Sequence, residues 1–95
     1  MKFEIDEKLN LLKIDGEAKY RLTYKERKLL KIFINKPNYT FLTADLAEMI
    51  ESKRNSIKSL ISKIKIDYPE VVPYLRTIWG IGYEWRQEGE NDNES

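Results

Sequence analysis

The sequence predicts an α+β fold, with an antiparallel sheet at the N-terminus, three helices and a closing β-hairpin. Three observations carry this. Short alternating segments flank Asp15-Gly16, and Asp-Gly between such runs is a strong hairpin signal. Apolar residues then switch to helical spacing, most clearly at Ile57, Leu60, Ile61 and Ile64, which stand at i, i+3, i+4 and i+7. Finally, Tyr74 to Trp85 alternates apolar and polar residues around Gly80 and Gly82, where a turn must pass.

Each element has its own justification. Lys2 to Asp6 alternates as a strand, Leu11 to Ile14 follows, and Ala18 to Leu22 continues beyond the Asp15-Gly16 turn. Thr23 precedes Tyr24-Lys25-Glu26, so Thr23 as N-cap and Glu26 at N3 spell a capping box. The first helix should run to about Asn35, bury Leu29, Leu30, Ile32 and Phe33, and stop before Pro37-Asn38. Phe41-Leu42 suits a short extended segment. Thr43 is the expected cap of helix two, with Asp45 in a first turn that favours acids and with Leu46, Ala47, Met49 and Ile50 inward. Helix three is expected over 55–66 and ends at Asp67-Tyr68-Pro69. The hairpin occupies 74–86.

Size and composition narrow the function. A chain of 95 residues suits one domain, here 1–87, and 41% hydrophobic with 35% charged residues suits a small globule. The segment 88–95 carries Glu88, Glu90, Asp92 and Glu94 with no base and no large apolar side chain, and is expected to be a disordered acidic tail. The remainder holds 17 bases against 12 acids, a net charge of +5 hidden beneath the overall +1. The chain has no cysteine and no histidine, which removes disulfides, thiolate metal sites, the usual zinc ligand and the usual general base. No enzyme, cofactor, metal or small-molecule substrate is expected. No apolar run reaches membrane-spanning length and no signal-peptide pattern opens the chain, so no membrane partner and a cytoplasmic location are expected.

The basic residues are concentrated. Ser52 to Ile66 contains Lys53, Arg54, Lys58, Lys63 and Lys65 and no acid. Such a local field attracts polyanions, although a merely solvated lysine face fits the same pattern. On helix three, Asn55, Lys58, Ser59 and Ser62 stand opposite the apolar stripe, with Lys63 and Lys65 on the flanks. A basic helix followed by a hairpin entered through Arg76 and Thr77 is how a winged helix-turn-helix grips DNA.

The motifs then resemble a known family, the winged-helix effector domains of OmpR/PhoB-type response regulators, from Phe3 to Trp85. Asp15-Gly16, then Leu22-Thr23-Tyr24-Lys25-Glu26 and Leu29-Leu30, are similar to its DG, LTxKE and LL. Lys36-Pro37 resembles its HP, and Thr43 with Leu46 resembles the start of its second helix. Ser56-Ile57 and Ile61-Ser62-Lys63-Ile64-Lys65 resemble a recognition-helix pattern ending in ISRLR. Arg76-Thr77-Ile78 with Gly80-Ile81-Gly82-Tyr83 resembles the wing pattern RTVRGxGY. Departures are Ala44, Asn55 and Trp79 where the family often has Arg, Lys58 where it has an acid, and Leu60 where it has His.

The resemblance implies a four-stranded N-terminal sheet, three helices and a C-terminal wing. It implies sequence-specific binding of double-stranded DNA by a transcription regulator of a two-component system. The recognition helix would enter the major groove and the wing the adjoining minor groove. It also implies a tandem dimer on direct-repeat DNA, and RNA polymerase as a partner through the connection between helices two and three, which is short here. In that frame Lys53, Arg54, Lys58, Lys63 and Lys65 neutralise phosphates, and Asn55 pairs two-point with adenine. Ser59 and Ser62 meet a base edge or a phosphate, and Arg76 and Thr77 meet backbone. Tyr83 and Trp85 read mostly as core, although matching tyrosines in the family approach phosphate. Trp79 has two readings, an apolar or stacking contact with DNA or a neighbouring protomer, and packing on the hairpin's own inner face. The alternative function is a winged helix reused for protein–protein interaction. The acidic tail is either plain solvated chain or a shield over the basic helix. As a shield, its removal after Gln87 strengthens DNA binding at low salt, which a titration of the truncated chain checks.

Overall fold

Two short antiparallel sheets bracket three helices in the computed structural model, which describes residues 1–87. The acidic segment 88–95, with its expected disorder, lies outside the described residues. The first sheet has strands β1 (Phe3–Asp6), β2 (Leu11–Ile14) and β3 (Glu17–Arg21), in that order. Asp15 and Gly16 both take positive φ, +52° and +85°, which is the two-residue turn whose twist matches paired strands. The Asp15 carboxylate accepts from the Lys2 amide at 2.8 Å, which ties the turn to the start of β1.

Helix α1 (Tyr24–Asn35) starts as the motif predicts. The Glu26 amide donates to Thr23 Oγ1 at 3.2 Å, and the Thr23 amide donates to Glu26 Oε1 at 2.9 Å. Leu29, Leu30 and Phe33 are buried along it. Strand β4 (Phe41–Leu42) leads directly into α2 (Thr43–Met49), and α3 follows (Arg54–Asp67). After a 3₁₀ turn at Pro69–Val71, β5 (Leu75–Ile78) and β6 (Gly82–Trp85) form the hairpin.

Several expectations change. The resemblance implied a four-stranded N-terminal sheet, but this one has three strands, because the capped α1 begins three residues after β3. The remaining strand, β4, pairs with β6 in a second sheet ordered β4-β6-β5. Thr43 does not cap α2. Pairing of Leu42 with Gly82 holds Leu42 extended, so Leu42 takes the N-cap position without a side-chain bond and Thr43 is the first helical residue. Met49 is 49% exposed rather than inward, since this seven-residue helix buries Leu46 and Ala47, with Ile50 just beyond its end. Helix α3 extends one residue beyond 55–66 at each end.

The sheets meet through aromatic rings. Phe3 of β1 packs edge-on against Tyr74 at 4.8 Å and Trp85 at 5.0 Å, and Tyr74 stacks on Trp85 at 5.5 Å. Leu12, Leu29, Leu30, Phe33, Leu46, Ile57 and Ile64 fill the space between sheets and helices. Truncating such rings removes their transfer free energy and leaves a cavity. Trp85→Ala should therefore cost about 3–5 kcal/mol, read as a lower urea midpoint at unchanged slope.

Candidate nucleic-acid interface

Helix α3 presents three strips. Ile57, Ile61 and Ile64 are buried and seat it on the core. On the side facing the hairpin, Arg54, Lys58, Ser62 and Lys65 form one wall of an open groove. Thr77, Ile78, Trp79, Gly80, Ile81 and Tyr83 form the other wall, and Leu42, Thr43 and Ala44 close it at one end. Among the described residues, the lining contains three cations and no acid. Lys65 is half-buried, and this burial pushes its ammonium below the usual lysine range. A desolvated cation of that kind gains from an incoming anion.

On the other flank, Asn55, Ser59 and Lys63 border a second concavity with Lys25, Ser52, Ser56 and Leu60. Here Lys25 Nζ donates to Ser52 Oγ at 2.6 Å, and Ser59 Oγ donates back to the Asn55 carbonyl at 3.3 Å. The structure thus divides the predicted residues of the helix between two faces. Lys53 is the exposed N-cap position of α3.

Lys63 has partners within the domain. Its ammonium donates to Asp67 Oδ2 at 2.8 Å and to Glu26 Oε2 at 3.1 Å. The Asp67 bond first, and then Glu26, raise its affinity for its proton above the ordinary lysine value. Glu26 is fully buried, and its Oε1 also accepts from the Tyr68 hydroxyl at 2.7 Å. Burial pushes the Glu26 carboxyl up, but the Thr23 amide, Tyr68 and Lys63 together outweigh it and hold the group below its ordinary value of 4.5. Tyr68 is pushed upward by burial and by its bond to Glu26.

The wing is shaped by two glycines. Gly80 takes φ +76° in a turn closed by the Ile81 amide on the Ile78 carbonyl at 3.0 Å. A Cβ on Gly82 would run into the Phe41 carbonyl, so glycine there lets β4 approach β6. Trp79 stands at the turn and is 89% exposed, which overturns the packing reading for it. Tyr83 and Trp85 are core residues, and only Tyr83 reaches the groove lining. Strand alternation puts Arg76, opposite Glu84, on the face away from Leu75 and Trp85.

Sequence reasoning missed Leu42, Thr43, Ala44, Ile78 and Ile81 in the groove, and Lys25 and Ser52 on the far flank. It also missed Ile66, which is 77% exposed. Helical spacing from Ser59 and Ser62 is the signal that would have placed Ile66 outward. The β4 contribution had no such signal.

The fold is that of solved DNA-binding domains. The DNA-binding domain of Bacillus subtilis CssR matches with a TM-score of 0.76 and 20% identity, over 88% of this chain and 99% of that one. The DNA-binding domain of the response regulator AdeR, solved in complex with an intercistronic region, gives 0.74 and 23% identity, over 90% of this chain and 94% of its own. For DrrB, a Thermotoga maritima OmpR/PhoB homolog, the TM-score is 0.71 at 23% identity, and 88% of this chain spans 41% of that one. No protein-family model and no curated protein matches the sequence.

The buried carboxylate sets a pH prediction. A depressed carboxyl contributes stability that is present above its unfolded value and is lost as pH falls through the folded one. Glu26→Gln should lower stability by about 1–3 kcal/mol at neutral pH, where a charge-assisted network is broken. Its deficit against the parent chain should shrink as pH falls below 4.5, in urea unfolding across that range.

Proposed function

We propose that this chain binds double-stranded DNA as the effector domain of a two-component-type response regulator. In this reading α3 enters the major groove and the β5–β6 wing reaches the adjoining minor groove. The observation that carries it is the groove between α3 and the wing, where Arg54, Lys58 and Lys65 line one wall with no acid among the described residues. The likeness to domains named as DNA-binding, one of them solved on an intercistronic region, supports the same reading.

The chemistry divides by residue. Arg54, Lys58 and Lys65 neutralise phosphates and release counterions, which supplies affinity without sequence information. Lys53 adds to that field from the start of α3. Asn55 and Ser62 are the base readers, because a short polar side chain lets a helix approach base edges closely. Ser59 keeps its lone pairs for a donor while its own proton is spent on the helix. Lys63 reaches a phosphate only by exchanging its Asp67 partner, so its share of binding is smaller than that of Lys58. Thr77 and Arg76 meet backbone from the wing, and Tyr83 offers at most its groove-facing edge. The reading also brings a cytoplasmic location, a second copy on a direct repeat, and RNA polymerase as partners.

Exposure of Trp79, Leu42 and Ile81 beside the groove favours a second reading, a protein-docking winged helix. Anisotropy of labelled mixed-sequence duplex DNA separates the two. Lys58→Ala and Lys65→Ala should each weaken binding to every sequence and flatten the log–log salt slope by about one unit. Unchanged affinity in both variants, or no association at low salt, would transfer the groove to a protein partner.

A further inference from the structure

We infer that Trp79 is an apolar wedge that enters between base pairs from the minor-groove side and bends the duplex, an inference that rests on the DNA-binding reading above. A tryptophan ordinarily withdraws most of its surface from water, because no other side chain has more apolar area to bury. Here the ring is 89% exposed at the tip of a hairpin.

The tip is also stiff. The turn is closed by the Ile81 amide on the Ile78 carbonyl at 3.0 Å, and β6 is held between β5 and β4. The backbone that carries the ring is therefore held in place, and only the two side-chain torsions of Trp79 are ordered on binding. Its apolar neighbours Ile78 and Ile81 are part of the same hairpin end, and Arg54, Lys58 and Lys65 stand across the groove.

An apolar point flanked by cations fits one kind of surface well, a stack of apolar base faces bordered by phosphates. Architectural proteins that read the minor groove insert apolar side chains between base steps, which unstacks them and kinks the duplex. Pyrimidine–purine steps, TA and CA/TG, unstack most readily. Trp79 then sets specificity at a position where it makes no hydrogen bond to a base. The groove wall of α3 supplies phosphate attraction, and Trp79 supplies the deformation.

The test uses the full chain and short mixed-sequence duplexes labelled at both ends for energy transfer. Trp79 emission can be separated from that of Trp85, which is buried and shielded from acrylamide. Parent protein should shorten the end-to-end distance of the duplex, and its acrylamide-accessible emission should be quenched. Trp79→Ala, at a site without packing to lose, should bind roughly 5- to 150-fold more weakly, the range of one aromatic–base stack, and leave the duplex straight. Trp79→Phe should restore bending. Sites selected from random duplexes by the parent chain should carry TA or CA/TG at the wing position, and those selected by Trp79→Ala should not. Association with equal bending in Trp79→Ala, or an accessible Trp79 in the bound complex, overturns the wedge and leaves DNA binding standing. Absence of association by the parent chain at low salt overturns the DNA-binding reading itself.

Discussion

The fully buried carboxylate of Glu26 couples the elements that position the candidate interface. Through Oε1 it accepts the Thr23 amide and fixes the start of α1, and it also accepts the Tyr68 hydroxyl. Through Oε2 it holds Lys63, near the C-terminal end of α3. The same Tyr68 oxygen lies 3.2 Å from the Arg21 carbonyl, so the end of β3 joins the network. Burying a carboxylate costs several kcal/mol unless hydrogen bonds and an opposite charge offset it, and each partner here does part of that work. Burial of Ile57, Ile61 and Ile64 sets the rotation of α3 about its axis, and the Lys63 bond to Glu26 accords with it. With that stripe on the core, Lys63 lies on the α1 side and Arg54, Lys58 and Lys65 lie on the hairpin side.

That rotation gives the two flanks of one basic helix different tasks. Lys63 is a fastening between helices and contributes to the fold. Lys58 and Lys65 face a groove with no acid among its described lining, and burial disfavours the charged form of Lys65. The wing completes the groove through close backbone packing. Glycine at 82 lets β4 lie against β6, which brings Leu42, Thr43 and Ala44 to the closed end. A charged wall and an apolar tip, held at fixed spacing by separate parts of the core, form one surface.

Much of the fold could be read from local signals. Asp15-Gly16 and the Thr23–Glu26 box act over two to four residues, and their geometry is decided by backbone sterics and by bonds to neighbouring amides. The stripe at Ile57, Ile61 and Ile64 follows from helical period alone. Thr43 and Met49 depart from their local signals for the converse reason. Their local patterns were sound, but long-range pairing of β4 with β6 moved the start of α2, and a seven-residue helix has only one narrow buried side.

The candidate site was less legible than the fold. Residue types and spacing identified α3 as a basic helix, and they placed Asn55, Lys58, Ser59 and Ser62 on its outer face. They gave no means of separating Lys63 from Lys65, because the bond from Lys63 to Glu26 joins residues far apart in sequence. Trp79 stood between burial and exposure on sequence grounds, since a hairpin turn residue points inward or outward according to what covers it. By itself, the sequence determined which segments are strands and helices, where α1 starts and the hairpins turn, and where positive charge is concentrated, because short-range sterics and periodicity govern each of these. The tertiary structure alone decided which cations face the groove, which one is tied into the core, and that Trp79 is left bare, because those outcomes depend on contacts between residues distant along the chain.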